Sequence, residues 1–581
     1  MSDKKWDVAA NMAMPLDQIM GALNALQGGG DRAVQAETMQ DYTKVMLAMA
    51  KQPNALLEMQ TAFWTDQFSL AKNMALKAQG QKVEPIAVPA QDDKRFKDAE
   101  WNDNPTFDSI KQSYLSAVAH ARGLLDKLEG IDDDARRRIE FNLRQMSDAL
   151  SPTNFPMMNP EVIRATIASN GTNLLKGAQH VMDDFIKGNG QLHPELTDRS
   201  AFDVGRNLAL TPGKVVHENE VMQLIQYEPS TETVRQKPIL IVPSWINKFY
   251  ILDLTEKNSF VRWLVGEGHT VFIISWVNPD KSHADKTFDD YMRLGPMTAL
   301  DKIEEITGES SINTAGYCIG GTLLATTLAV MAARDDHRIA SVTYLTTLID
   351  FSDPGDMAVF TSDAHLDELE KEMQKNGYLD ASVMAETFSM LRANDLVWSV
   401  GIKSYFLGQE PPAFDILYWN ADSTRMPGGL HMSYLRDMYR DNKLVKDGGI
   451  TVDNVPIDLK RIQTPSFILS TREDHIAPWR STYAATQIYG GDTTFVLAGS
   501  GHVGGVVNPA SSKKYGYWTN PKLASSPEQW LEGAQHSPGS WWNHWKEWLA
   551  SHAGDMVPAR KPGERGSVVE DAPGSYVKRT F

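Results

Sequence analysis

The chain has 581 residues, 42% of them hydrophobic and 23% charged, which is the make-up of an ordinary globular protein long enough for more than one domain. Its formal net charge of −17 disfavours broad nucleic-acid binding, and no run of about 18 uncharged apolar residues marks a membrane span. One cysteine excludes a disulfide framework and a multi-cysteine metal site, and points to a reducing, cytoplasmic compartment.

The start, MSDKKWDVAANMAMPLDQIM, lacks the unbroken apolar core and cleavage site of a signal peptide. From there to about residue 190 the chain reads as mostly helical. Tyr42 to Ala50 and Ala55 to Ala75 carry apolar residues at three- and four-residue spacing. Gly28-Gly29-Gly30 breaks the first helices. Residues 78–95, with Gln and Pro, read as a linker. Phe107 to Leu150 predicts amphipathic helices closed by Pro152 and Pro156. Asn159-Pro160-Glu161 starts another, which Asn170-Gly171 ends, and a further helical piece runs through Met182 to Phe185. Nothing in residues 1–200 forms a catalytic constellation. This is a helical packing or assembly domain, with apolar faces available to a partner as the alternative.

From residue 201 to 581 the pattern changes to a parallel-sheet α/β alternation. Strands are predicted at Val221–Tyr227, Pro238–Val242, Thr270–Trp276, Ser311–Ala315, Ile339–Leu348, Pro465–Ser470 and Thr493–Leu497, with helices at Ser259–Gly266, Lys286–Ile306 and Ser481–Tyr489. The rhythm stops after Asp350. Residues 351 to about 440, rich in large apolar and aromatic side chains, are expected to be an inserted cap subdomain, because a structureless loop of that length is unusual. Trp541, Trp542, Trp545 and Trp548 sit at helical spacing and predict a helix packed on the sheet. The tail from Val557, mixing Pro, Gly and charge, is expected to be extended or poorly ordered.

Within this frame, Gly316-Tyr317-Cys318-Ile319-Gly320 is a G-x-C-x-G nucleophile elbow with cysteine in place of serine. Such a turn needs small residues on either side of a strained nucleophile, and it aims the Ile319 amide at a developing oxyanion. Cys318, Asp474 and His502 follow the order nucleophile, acid, histidine, and both partners come just after predicted strands. His502 is the expected base and Asp474 its orienting acid. His475 is the rival base, and Asp350 and Asp353 are the alternative acids. The second oxyanion donor is expected in the loop after the Pro238 strand: a backbone amide of Trp245 or Ile246, or the Asn247 side chain. A thiol suits exchange with thioesters, because attacking and leaving thiolates are of similar energy. Residue chemistry alone therefore reaches a cysteine-dependent acyltransferase or hydrolase.

GYCIGGTL at 316–323, PSWINKFYILDL at 243–254, HTVFIISWVNPD at 269–280, TREDHIAPW at 471–479 and GHVGGVVNP at 501–509 resemble the polyhydroxyalkanoate synthases, especially class I. So do SPTNFPMMNPE at 151–161 and NLALTPGKVV at 207–216. The resemblance implies an α/β-hydrolase fold with a cap, preceded by the helical domain. It implies polymerisation of (R)-3-hydroxyacyl-CoA, mainly 3-hydroxybutyryl-CoA, with release of coenzyme A as a product and no cofactor or metal. Cys318 carries over as the acylated nucleophile, His502 as its base, and Asp474 as supporting His502 and helping to activate the 3-hydroxyl. The partners it implies are the acyl-CoA and the growing polyester, a second copy in a homodimer, and the polymer granule or its proteins. The sequence departs from the resemblance at Ser244 and Trp245, where Pro and Cys are common. A hydrolase of the same fold, acting on polyester or thioester, is the alternative, and a non-catalytic granule-coating protein is the alternative of a different class.

Overall fold

The computed structural model describes residues 32–580, apart from 92, 189, 191 and 193. The expected break at Gly28-Gly29-Gly30 lies outside them. The chain divides into two units. One takes Met1–Leu192 with Asp363–Glu368 and Ala393–Gln409; the other takes His193–Ser362, Leu369–Arg392 and Glu410–Phe581. The stretch 351–440 is thus shared between them.

The first unit is helical: α1 (Arg32–Lys51), α2 (Pro53–Ala78), α3 (Pro105–Lys127), α4 (Asp133–Ala149), α5 (Pro160–Ala168) and α6 (Thr172–Lys187). Their starts follow local chemistry. Asn104, Asp132 and Asn159 accept backbone N–H groups of the first turn, and Pro opens α2, α3 and α5, where its missing N–H costs nothing. Asn170 and Gly171 both take positive φ between α5 and α6. Ala48, Leu124, Leu125, Leu128, Ile131 and Ile139 form a small core, and buried Asp41 pairs with Arg138 at 2.7 Å. Segment 393–409 joins this unit through α6. Asn173 Nδ2 donates to the Phe406 carbonyl (2.7 Å), the Tyr405 hydroxyl donates to Asp184 (2.8 Å), and a Cβ at Gly177 would overlap the Tyr405 carbonyl.

The second unit is built on an eleven-stranded sheet. In chain order the strands are β1 (Gly213–Glu218), β2 (Met222–Tyr227), β3 (Ile239–Val242), β4 (Val271–Trp276), β5 (Ile312–Tyr317), β6 (Ile339–Leu345), β7 (Ser466–Thr471), β8 (Thr493–Ala498), β9 (Gly516–Thr519), β10 (Gln535–Pro538) and β11 (Glu570–Asp571). Their spatial order is β10-β9-β8-β7-β6-β5-β3-β4-β2-β1-β11. The six strands from β8 to β4 are parallel, and β2, β1 and β11 on one side and β9 and β10 on the other are antiparallel. Strands covered on both faces read as apolar runs, which is why the central ones were legible. Helices α7 (Phe260–Gly266), α8 (Thr298–Thr307), α9 (Ile319–Ala333) and α10 (Trp542–Ala550) belong to this unit. This is the α/β-hydrolase arrangement. Among the described residues no helix is long and apolar enough to cross a membrane.

Two expectations are corrected. The helix predicted over Lys286–Ile306 is broken at Gly295 (φ −93°, ψ −107°) and Pro296, where a Cβ at Gly295 would lie 2.5 Å from the Trp276 ring. The tail is extended, as one of its two expected forms, and not poorly ordered: Met556–Pro558 pairs with Thr233–Arg235, β11 extends the sheet, and Tyr576 and Val577 are buried. Its Pro and Gly content serves turns between short paired segments rather than disorder. Three of the four tryptophans, Trp542, Trp545 and Trp548, do lie in a helix that Trp541 caps, with Trp541, Trp542 and Trp545 each about 1% exposed.

Candidate active site

Cys318 is the single residue between β5 and α9, and its backbone sits at φ 54°, ψ −124°. That conformation costs a non-glycine residue about 1–3 kcal/mol and persists only when the surroundings enforce it. Here the Cys318 N–H donates to the Leu345 carbonyl (2.9 Å), and its own carbonyl accepts from the Gly321 amide (2.9 Å) and Thr347 Oγ1 (3.2 Å). The flanking glycines are required by space. A Cβ at Gly316 would stand 2.5 Å from Gly321 Cα, and one at Gly320 would overlap the Val242 carbonyl. The thiol is half-buried.

Asp474 and His502 lie in the loops after β7 and β8, which are tied together by the Arg472 amide donating to the Ala498 carbonyl (2.8 Å) and the Glu473 amide to the Ser500 carbonyl (3.0 Å). The Asp474 carboxylate is fully occupied. Its Oδ1 accepts from the amides of Ile476 and Ala477 (both 2.9 Å); its Oδ2 accepts from Thr471 Oγ1 (3.1 Å) and His502 Nδ1 (2.7 Å). With Nδ1 committed to Asp474, Nε2 is the ring nitrogen left to serve Cys318. Burial opposes the imidazolium, but the charges and hydrogen bonds of Asp474 and Cys318 outweigh it and hold the His502 pKa well above its ordinary value. The Tyr317 ring packs on the imidazole at 5.6 Å, and the Trp541 and Trp542 indoles donate to the carbonyls of Gly505 (2.9 Å) and Val506 (2.8 Å) in the same loop.

The rivals are placed differently. Burial pushes the His475 imidazole down to about 4, and Asp474 does not reverse this. Asp350 accepts from the Ser352 amide (2.9 Å) and Asn442 (2.8 Å), and the Asp353 carbonyl accepts from Ser481 (2.6 Å). In the loop after β3, the Ile246 amide donates to Ser244 Oγ (3.2 Å), and Asn247 forms a backbone bridge with Ser423. The Trp245 side chain is 2% exposed, boxed by Trp276, Phe288, Tyr291 and Tyr434 at 5.4–6.3 Å. Ile319 opens α9 and is buried. Sequence reasoning missed Tyr434 and Tyr439. Their rings meet at 5.4 Å, Tyr439 lies 4.8 Å from Phe351, and burial together with the Cys318 charge raises both hydroxyl pKa values. They sit five residues apart in a wide helical turn, Tyr434–Arg440, which brings i and i+5 together and escapes a search at 3.6-residue spacing.

A buried carboxylate–imidazole pair beside a half-buried thiol on a strained turn can generate a thiolate and return a proton to a leaving group. Comparison with known proteins narrows the reaction. The family model for the poly-beta-hydroxybutyrate polymerase N-terminus matches residues 92–264, and that for the alpha/beta hydrolase fold matches residues 237–509. A poly(3-hydroxyalkanoate) polymerase of Methylorubrum extorquens is 46% identical over 95% of this chain and 91% of its own. Poly(3-hydroxyalkanoate) polymerase subunits of Rhizobium meliloti and Cupriavidus necator are each 44% identical, over 98% and 84% of this chain and 95% and 83% of theirs.

Proposed function

Because the chain belongs to the poly(3-hydroxyalkanoate) polymerase family, we propose that it polymerises (R)-3-hydroxyacyl groups from their coenzyme A thioesters, mainly 3-hydroxybutyryl-CoA, through an acyl group held on Cys318. The observation that carries this reading is the 2.7 Å bond from His502 Nδ1 to a buried Asp474, which leaves Nε2 for the only thiol in the chain, whose charge acts on the same ring.

His502 takes the Cys318 proton on Nε2, and the thiolate attacks the thioester carbonyl carbon. The resulting oxyanion faces the Ile319 amide and a donor from the loop after β3. Of that loop's backbone candidates we favour the Trp245 amide, since Ser244 engages that of Ile246. Collapse breaks the bond to the coenzyme A sulfur, which leaves with the proton from His502. The 3-hydroxyl of a second unit then gives its proton to His502 and attacks the acyl-cysteine, forming the ester and freeing the thiolate. Asp474, with all its oxygens occupied, works through His502 and not on the hydroxyl directly. No step requires a metal or cofactor. The same family reading extends to a homodimer that associates with polymer granules in the cytoplasm.

The test supplies 3-hydroxybutyryl-CoA and follows coenzyme A release with insoluble polyester. Both together are expected, and free hydroxy acid without polymer would mean a hydrolase instead.

A further inference from the structure

The loop carrying Trp245 presses on the elbow, since the Val242 and Pro243 carbonyls leave no room for a Cβ at Gly320. Its other side is fastened to residues 415–424. The Trp419 indole donates to the Lys248 carbonyl (2.7 Å), and Thr424 Oγ1 donates to the Trp245 carbonyl (3.0 Å). At the centre of this seam is a charged group. Lys248 Nζ meets Asp422 Oδ1 at 2.6 Å, with side-chain exposures of 4% and 14%, and the buried Tyr250 hydroxyl donates to Asp422 Oδ2 at 2.8 Å. A buried pair of this kind adds little net stability, because losing hydration costs each charge about what the attraction returns. What it supplies is geometry. Charge-assisted bonds are short and directional, and neither partner can leave without stranding the other away from water.

We propose that Lys248 and Asp422 are a positioning pair for the acylation step. They hold the 243–250 loop at the distance from α9 at which the Trp245 amide meets the developing oxyanion, with Tyr250 setting the carboxylate's rotation. The inference rests on the acyl-cysteine reading above and on Trp245 as second donor. It separates two properties that a general packing role would tie together. Alkylation of Cys318 by iodoacetamide needs the thiolate but no oxyanion donor, whereas acylation by a thioester needs both.

The experiment compares the parent enzyme with Asp422→Asn, which keeps the acceptor for Tyr250, and with the double variant Lys248→Met/Asp422→Asn, which leaves no unpaired charge and so keeps the fold. Coenzyme A release from 3-hydroxybutyryl-CoA is expected to slow about tenfold or more in kcat in both, with KM changed by less than about twofold. Iodoacetamide alkylation and the melting temperature of the double variant stay at the parent's values. The proposal is overturned if the double variant releases coenzyme A at the parent's rate, or if alkylation falls in step with acylation. A Cys318→Ala protein that still releases coenzyme A at the full rate would overturn the acyl-cysteine reading itself, and the pair's role with it.

Discussion

Asp474 shows what a single carboxylate contributes when every lone pair is used. Two backbone amides and the Thr471 hydroxyl fix its plane, and its remaining acceptor site holds His502 Nδ1. Asp474→Asn keeps the shape and removes the charge. Without that charge the imidazolium is less favoured against burial, so the His502 pKa falls. The variant is expected to release coenzyme A at least about a hundredfold more slowly. Linkage gives a second readout. A folded-state pKa above the unfolded value of about 6.5 means that His502 contributes stability fully present below that pH and lost as pH rises through the folded value. The slope of melting temperature against pH above neutrality is therefore expected to be shallower in Asp474→Asn. Gly320→Ala tests the elbow: its Cβ would overlap the Val242 carbonyl, so the strand and helix must part, at a cost of about 1–3 kcal/mol measured by denaturant unfolding. The residues that meet here were legible because each follows a strand and because their chain order is nucleophile, acid, histidine. The choice between the Trp245 and Ile246 amides was not legible, because it turns on a local bond from Ile246 to the Ser244 hydroxyl.

At the scale of elements, the tryptophan helix α10 does more than cover the sheet. Trp541 and Trp542 donate to carbonyls of the His502 loop, whereas Trp545 donates to Thr343 Oγ1 on β6. Trp541→Phe leaves the buried Gly505 carbonyl without its indole donor and is expected to cost about 1–3 kcal/mol of stability. It should also lower kcat with little change in KM as the imidazole loosens. Trp545→Phe is expected to cost similar stability and leave kcat unchanged. Comparable kcat in both variants would deny the loop-holding role of Trp541. The spacing of the tryptophans revealed the helix, but not that its indoles reach two different elements. Strand legibility follows the same physics. β3 and β4 are buried runs of mostly Ile, Val, Leu and Phe, and β6, β7 and β8 carry such residues at their buried centres, whereas β5, INTAGY, is buried with small and polar residues and was read from the elbow it feeds. β10, at the sheet's edge, is mostly exposed and β9 beside it is half-buried; both carry polar residues, and both were missed.

At the scale of the whole molecule, the sheet's outer edge depends on residues far along the chain. β11 pairs with β1, and the Tyr576 hydroxyl donates to the Asn219 carbonyl at 2.8 Å. Removing residues 567–581 uncovers the β1 edge and the pocket for Tyr576 and Val577. It is expected to lower the melting temperature by several degrees and to promote aggregation through the bared edge, seen by light scattering. Composition had suggested a loose tail, because pairing partners separated by about 350 residues leave no local pattern. The division of 351–440 was equally illegible, since segment 393–409 joins the helical unit through the tight approach of Tyr405 to Gly177.

The account stands on a covalent acyl-enzyme at one sulfur, and mass measurement of the intact protein after brief mixing with 3-hydroxybutyryl-CoA tests it most directly. The expected result is a mass gain of one or more 3-hydroxybutyryl groups, mapped to the peptide containing Cys318 and absent in Cys318→Ala, with coenzyme A released in step. Release of coenzyme A and growth of polyester in the Cys318→Ala protein at the parent's rate would contradict it.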